Sequence, residues 1–318
     1  MGSRIKPLTE SGILAALTVI MAAIGVYVPF LGVIAILMWP LPVIVLIVRH
    51  GMRWGVMAVV VSAVLTAALL EPVVAVRLPL AFGPGGIALA YGYRHKWPAV
   101  RIFTAGVVAS LLAKAAALAL VAYITGVQPF EMQFNMMDES FASAVGMYES
   151  IGMNAEQIAA AEQNFKANMT ILRLLLPLLL FFMGLMDTTL NFILGGKLLQ
   201  RLGNPVPTFP PFVEWRLPGA FMYIYCFALL GMYWAQTREI ELLYKACVNL
   251  SMLATFAGMI EGFALLKAAQ QHYRWPAIAV TIASVLMFFS SFLMQMLSFT
   301  GLLDMVFDYR TRLWGKKR

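Results

Sequence analysis

The sequence predicts an all-α fold, a polytopic transmembrane helical bundle of about ten apolar segments (eight or nine as alternatives) with both termini cytoplasmic. Three observations carry that expectation. Hydrophobic residues fill 61% of the 318 positions and charged residues only 12%, well below the charged share of a soluble domain. The apolar residues fall in runs long enough to cross a hydrocarbon layer at ~1.5 Å per residue. The basic residues behind the net charge of +8 cluster in short turns between those runs, the pattern of the positive-inside rule. The charge is therefore a topological signal. The expected surroundings are a lipid bilayer, and nucleic acid is not an expected partner.

The first span runs from Leu8 to Val28, with Thr9 or Ser11 as its cap and Pro29 at its outer end. Arg4 and Lys6 ahead of an apolar run could pass for a signal peptide, but the run continues beyond a typical core and lacks a clear small-x-small cleavage site, so it reads as a first span. Gly12, Ala16 and Ala23 form a small-residue face, suited to close packing on a neighbouring helix or a partner subunit. Leu31 to Val48 is the second span, and Trp39-Pro-Leu-Pro42 predicts a bend or opening within it. It ends in a basic turn, Arg49-His-Gly-Met-Arg53. Trp54 to Leu70 returns to Glu71-Pro72, and after Arg77 the fourth segment, Leu78 to Tyr93, is broken by Gly83-Pro-Gly-Gly86. A break in lipid is expected either to line a ligand cavity or to kink for packing.

Arg94-His-Lys96 and Arg101 precede the fifth span, Ile102 to Ile124, which carries Lys114 at its middle. The hydrophilic stretch 126–168 is an expected extracytoplasmic helical insertion. It holds Glu131, Asp138, Glu139, Glu149, Glu156 and Glu162 against Lys166. Asn154-Ala-Glu-Gln157 reads as a capping box within it, and the insertion serves either as a lid or as a solvated helix pair. The sixth span, Ile171 to Lys197, carries Asp187. The proline-rich run Asn204 to Phe212 then separates residues 1–201, a six-span half, from 217–318, a C-terminal half of about four segments. Those four are Leu217 to Ala235, Tyr244 to Leu266, and Trp275 to Tyr309 split into two short spans near Phe289 to Phe292. Arg310, Arg312, Lys316, Lys317 and Arg318 close the chain on the cytoplasmic side.

One pattern recurs: Gly184-Leu-Met-Asp187, Gly258-Met-Ile-Glu261 and Gly301-Leu-Leu-Asp304 each set a carboxylate just under one turn after a glycine. Counting depth from the inner ends brings Lys114 within reach of Asp187, so the two are expected to pair as a ligand site or as a structural clamp. Glu261, Asp304 and Asp308 sit near inner ends, where pairing with basic turns, Arg310 included, is the plain expectation. The candidate ligand-binding residues are Glu71, Arg77, Gly83, Gly85, Lys114, Arg173 and Asp187.

No catalytic residue is expected. Asp187 and Asp304 form an aspartyl dyad only if they share a proton, and the glycine-flanked Gly-x-Gly-Asp motif of intramembrane aspartyl proteases is missing. So are His-Glu-x-x-His and Gly-x-Ser-x-Gly, and Gly83 to Gly86 lacks the Lys-Ser/Thr ending of a phosphate loop. His50, His95 and His272 all lie beside basic residues at inner ends, while Cys226 and Cys247 have no ligand spacing. The 21 methionines read as packing and lipid-facing residues. No cofactor and no metal is expected.

Pro40-Leu-Pro42 with Arg49-His-Gly-Met-Arg53, Phe82-Gly-Pro-Gly-Gly86, and Gly301-Leu-Leu-Asp304 with Phe307-Asp-Tyr-Arg310 together resemble the YybS-like family of bacterial multi-pass membrane proteins. That family is similar in its first six spans to the S components of energy-coupling-factor vitamin transporters. The resemblance implies a six-helix ligand-binding half followed by an extra helical half. The first span lacks the Ala-x-x-x-Trp signature through which many S components meet their transmembrane partner, which puts coupling to the usual ATPase module in doubt. The resulting expectation is a small-molecule binding or uptake protein with an unknown ligand. The alternative is a non-transporting assembly or regulatory partner of another membrane subunit.

Overall fold

The computed structural model describes residues 2–315. The side chains of 2–6, 148–150, 313 and 314 fall outside that description, and Lys316, Lys317 and Arg318 lie outside it altogether. Among the described residues every regular element is helical, and the chain divides into two compact units. The first holds residues up to Met169 and Leu179–Thr208; the second holds Thr170–Leu178 and Phe209 onward.

The helices up to the proline-rich run are α1 (Gly2–Tyr27), α2 (Leu31–Met38), α3 (Leu41–His50), α4 (Met52–Leu69), α5 (Pro72–Arg94), α6 (Ala99–Thr125), α7 (Pro129–Ser150), α8 (Ala155–Leu174) and α9 (Leu176–Arg201). A 3-10 turn at Phe212–Glu214 leads into α10 (Ala220–Thr237), α11 (Glu241–Tyr273), α12 (Ala277–Phe289), α13 (Ser291–Phe307) and α14 (Tyr309–Trp314).

Among the described residues, seven segments are long and apolar enough to cross a membrane: α1 from Pro7, α2 with α3, α4, α5, α6, α9 and α11. An eighth exists if α12 and α13 form one broken span, for the chain bends 111° between them. At ~1.5 Å per residue neither arm spans ~30 Å alone, so the expected pair of short spans becomes one broken span or a re-entrant loop. The break falls at Ser290, whose side chain caps α13 by accepting the Leu293 amide. Helix α10 drops out of the count because its tyrosines, tryptophan and glutamine dilute its apolar run.

Two local expectations are corrected. Helix α1 starts ahead of Thr9 and Ser11, and the Ser11 hydroxyl donates back to the Pro7 carbonyl (2.6 Å). Its buried face is Ser11, Ala15, Thr18, Val19 and Ala22, while Gly12 and Ala16 are exposed. The second correction concerns Gly83 to Gly86: α5 runs unbroken through Pro79 and Pro84. Each proline removes one ladder bond, but close packing holds the helix together. A Cβ on Gly86 would lie 2.7 Å from Pro40, and one on Gly85 would lie 3.2 Å from Ser110. These glycines admit neighbouring helices.

Proline does open the second span, at Trp39 and Pro40 between α2 and α3. Trp39 is 1% exposed and packs with Ala22, Val74 and Leu78 into a core cluster of the first unit. The insertion forms a helix pair: Phe141 stacks on Phe165 at 4.1 Å, and the Asn154 carboxamide accepts the Glu156 amide (2.8 Å) at the start of α8. In the second unit α11 is the central helix, with α10 and α13 packed along it. There the backbones meet directly, since a Cβ on Gly301 would sit 2.0 Å from the Gly258 carbonyl oxygen.

Candidate functional site

The polar centre of the first unit is built on α6 and α9. Gly106 and Gly184 admit the facing helix, for added Cβ atoms would sit 2.8 Å from the Thr188 methyl and 2.7 Å from Leu111. One turn beyond Gly184, Asp187 therefore reaches α6. Its Oδ2 accepts from Lys114 Nζ (2.9 Å) and from the Ser110 hydroxyl (2.9 Å). Lys114 Nζ also donates to Ser110 Oγ (2.8 Å) and to the Ala81 carbonyl (3.4 Å), so all three of its protons have acceptors. The ammonium lies 4.5 Å from the centre of the Phe82 ring, adding a cation-π contact. Lys114 is 6% exposed and Asp187 1%, so the pair is held out of solvent.

Asn191 completes the cluster. Its Nδ2 donates to Asp187 Oδ1 (2.8 Å) and faces the carbonyls of Asp187 and Leu37, each at 2.9 Å. The Leu37 carbonyl lies at the break between α2 and α3, so the carboxamide satisfies a backbone acceptor at that break. The Asn191 Oδ1 and Thr188 Oγ1 atoms are buried without a hydrogen-bond partner among the described residues.

The second unit carries its own charged cluster. Arg310 donates through Nε to Asp304 (3.0 Å) and through Nη2 to Glu261 Oε1 (2.5 Å). It donates through Nη1 to the carbonyls of Val213 (2.9 Å) and Trp215 (2.8 Å). Glu261 accepts the Leu217 amide (2.8 Å), and Asp304 accepts the Tyr309 amide (2.8 Å). The chain returns on itself at Asp308, which adopts a left-handed φ of 47° and so brings Arg310 back over Asp304. Asp308 pairs with Arg216 (2.6 Å), not with Arg310 as its nearness in sequence suggests. The Thr311 hydroxyl and the Arg216 guanidinium hold the Asp308 carboxyl below the usual carboxylate range. Asn249 bridges the second proline break: it donates to the Leu174 carbonyl (2.8 Å) and accepts the Leu178 amide (3.1 Å) on either side of Pro177.

Of the sequence-predicted site residues, Lys114 and Asp187 are joined. Arg77 is exposed and lines a groove of about 180 Å³ between α5 and α6, with Val76, Ala117, Leu120, Val121 and Ile124 among its walls. Glu71 stands at the exposed start of α5 and makes no side-chain cap. Arg173 is exposed in the last turn of α8, within the second unit. Gly83 and Gly85 form no break. The reading missed Ser110, Asn191, Asn249 and Glu10 of α1, which pairs with Arg49 and with His50 (2.6 Å). Ser110 and Asn191 each sit four residues from a charged member, a helical spacing visible in the sequence. Among the described residues no group of three or more His, Cys, Asp or Glu is arranged to hold a metal ion.

Residues 16–305 match the family described as a predicted membrane protein, DUF2232, and the chain belongs to that family. It is similar to the uncharacterized protein YybS of Bacillus subtilis (strain 168), with 24% identity over 324 residues covering 97% of this chain and 98% of the relative. No solved structure matches the chain.

Proposed function

We propose that the protein binds a small molecule in the bacterial cytoplasmic membrane, as a transporter-like binding or uptake protein, through the α5 and α6 face of its first unit. The observation that carries this reading is the buried Lys114 and Asp187 cluster inside two apolar helices, where ionisable side chains are costly and mark functional sites. The groove lined by Arg77 and Ala117 lies one turn away. Arg77 precedes Ala81 by four residues and Ala117 follows Lys114 by three, about 5 Å along each axis. Arg77 makes no ion pair among the described residues, so it can neutralise an acidic group of a ligand whose apolar part lies against Leu120 and Val121. At about 180 Å³ the groove is smaller than the ~300–1,000 Å³ of drug-sized ligand pockets, which restricts the proposed ligand to a compact molecule or to one that only partly enters.

A non-enzymatic role accompanies this reading. Both oxygens of Asp187 are engaged by Lys114, Ser110 and Asn191, and both oxygens of Asp304 by Arg310 and the Tyr309 amide. Neither carboxylate is left to share a proton. The likeness of residues 1–201 to S components and the cytoplasmic placement of both termini belong to the same proposal. The placement is supported by the basic ends at Arg49 and Arg94, where Arg94 donates to the Ile47 carbonyl (3.0 Å) at the end of α3.

Native mass spectrometry of gently solubilised protein tests the reading. The wild-type chain is expected to retain a small molecule that Arg77→Gln and the double variant Lys114→Met/Asp187→Leu release. The same species on all three proteins, or none on the wild type, overturns it. The alternative role, as a non-transporting partner subunit, is favoured by the exposed aromatic side of α10, where Phe227, Tyr233 and Trp234 are 71%, 75% and 62% exposed. A membrane subunit that co-purifies stoichiometrically, with no small molecule bound, would select it.

A further inference from the structure

The bend at Ser290 leaves a second groove, in the second unit. Helix α13 packs tightly on α11 through Gly258, Gly262 and Gly301, but α12 turns away by 111° and touches α11 sparsely. Between them lies a space of about 250 Å³ lined by Phe212, Phe263, Leu266, Lys267, Val280 and Ser284. The walls are apolar, and the Ser284 hydroxyl is already spent on the Val280 carbonyl (2.7 Å). Lys267 is the one charge on the groove. It is exposed and has no ion pair among the described residues.

Seven residues on, at the left-handed cap that ends α11, stands Arg274, exposed and also without an ion pair among the described residues. Beside it Tyr273 and Trp275 stack at 5.4 Å and are 54% and 47% exposed. Aromatic pairs of this kind beside basic residues mark the level of the lipid headgroups. An apolar slot that ends at an unneutralised ammonium near that level is complementary to an acyl chain carrying a negative headgroup. Basic pockets between membrane helices recognise anionic lipids in this way.

We propose that this groove is an anionic phospholipid site, with one acyl chain lying along Phe263, Leu266 and Val280 and the headgroup phosphate neutralised by Lys267. The test uses full-length protein presented with equimolar phosphatidylglycerol and phosphatidylcholine and read by native mass spectrometry. Wild-type protein is expected to retain phosphatidylglycerol about five-fold over phosphatidylcholine, the preference one surface cation supplies. Lys267→Gln should remove that preference. Lys245→Gln, which removes an exposed lysine already paired with Glu241, should leave it intact. Val280→Trp fills the groove without touching the charge and is expected to cut retention of the bound phosphatidylglycerol at least two-fold, with helicity by circular dichroism confirming that the variant is folded. Equal retention of the two lipids by wild type, a preference that survives Lys267→Gln, or undiminished retention in Val280→Trp would each overturn the proposal.

Discussion

Both units hold a cation out of water against carboxylates, and they do so with different chemistry. In the first, the Lys114 ammonium spends three protons on Asp187, Ser110 and one backbone carbonyl. In the second, the planar Arg310 guanidinium reaches two carboxylates and the carbonyls of a separate loop at once. A planar fork of five donors suits a clasp that fastens several chain segments, whereas a compact ammonium with three rotatable donors suits a local cluster. Each unit also has a proline break bridged by an asparagine, Asn191 at Pro40 and Asn249 at Pro177. In the first unit that asparagine also binds the buried aspartate and keeps an uncommitted oxygen; in the second it is spent entirely on backbone. The first cluster is thus built into the middle of a span with acceptors to spare. The second fastens the end of the chain.

The strongest way to break this contrast is to remove Arg310. Arg310→Met strands Glu261 and Asp304 together, and a loss of at least ~3–5 kcal/mol is expected in unfolding followed by circular dichroism in detergent. Arg310→Lys should recover only part of it, because three donors cannot replace five. An unchanged Arg310→Lys variant would reduce the clasp to a simple charge pair.

Lys114→Met should also destabilise, by ~3–5 kcal/mol but less than Arg310→Met, since one carboxylate is stranded and not two. The informative variant is Lys114→Met/Asp187→Leu, where both charges leave together. Its stability is expected within ~1 kcal/mol of wild type, because a buried pair replaced by apolar groups of similar volume is often neutral. A double variant as unstable as the single one would mean that the pair is a structural element in its own right.

Glycine substitutions sharpen the comparison at smaller scale. Gly301→Ala drives a methyl to 2.0 Å from the Gly258 carbonyl oxygen and should cost ~1–3 kcal/mol by forcing α11 and α13 apart. Gly83→Ala meets nothing within 4 Å inside a continuous helix and should gain ~0.5–1 kcal/mol. A melting temperature lowered by Gly83→Ala would restore the idea of a functional break there.

The smallest effect is acidic. Asp308 has a depressed folded-state pKa, so its contribution to stability is complete above the unfolded carboxylate value of ~3.9 and fades as pH falls through the lower folded value. The stability difference between wild type and Asp308→Asn should therefore shrink only below about pH 4. It should be modest throughout, since the Arg216 and Asp308 side chains are 51% and 42% exposed.

Much of this was legible in the letters. An interior lysine and an interior aspartate on apolar segments have few places to go, and depth counting was enough to pair Lys114 with Asp187. The Gly-x-x-acid pattern proved to be a packing rule: a helix that loses a side chain at one position lets its neighbour close in, and a carboxylate one turn later then reaches across. Gly184 with Asp187 and Gly258 or Gly301 with Glu261 or Asp304 follow it. The pairing of these acids with Arg310 was legible too, but a chain reversal at Asp308 sets which of them it takes: Asp304 and Glu261, leaving the sequence neighbour Asp308 to Arg216.

Composition and periodicity alone determined that the chain is a helical membrane protein, because burying apolar runs in lipid admits few other solutions for the backbone. They also fixed where charge enters the apolar layer, since each such residue is conspicuous against its neighbours. Tertiary structure alone decided whether Gly83 to Gly86 opened and which carbonyls the asparagines met. Whether a proline breaks a helix, and what replaces its lost hydrogen bond, depends on the side chains of another helix that packs against it, and no local pattern encodes that helix's approach.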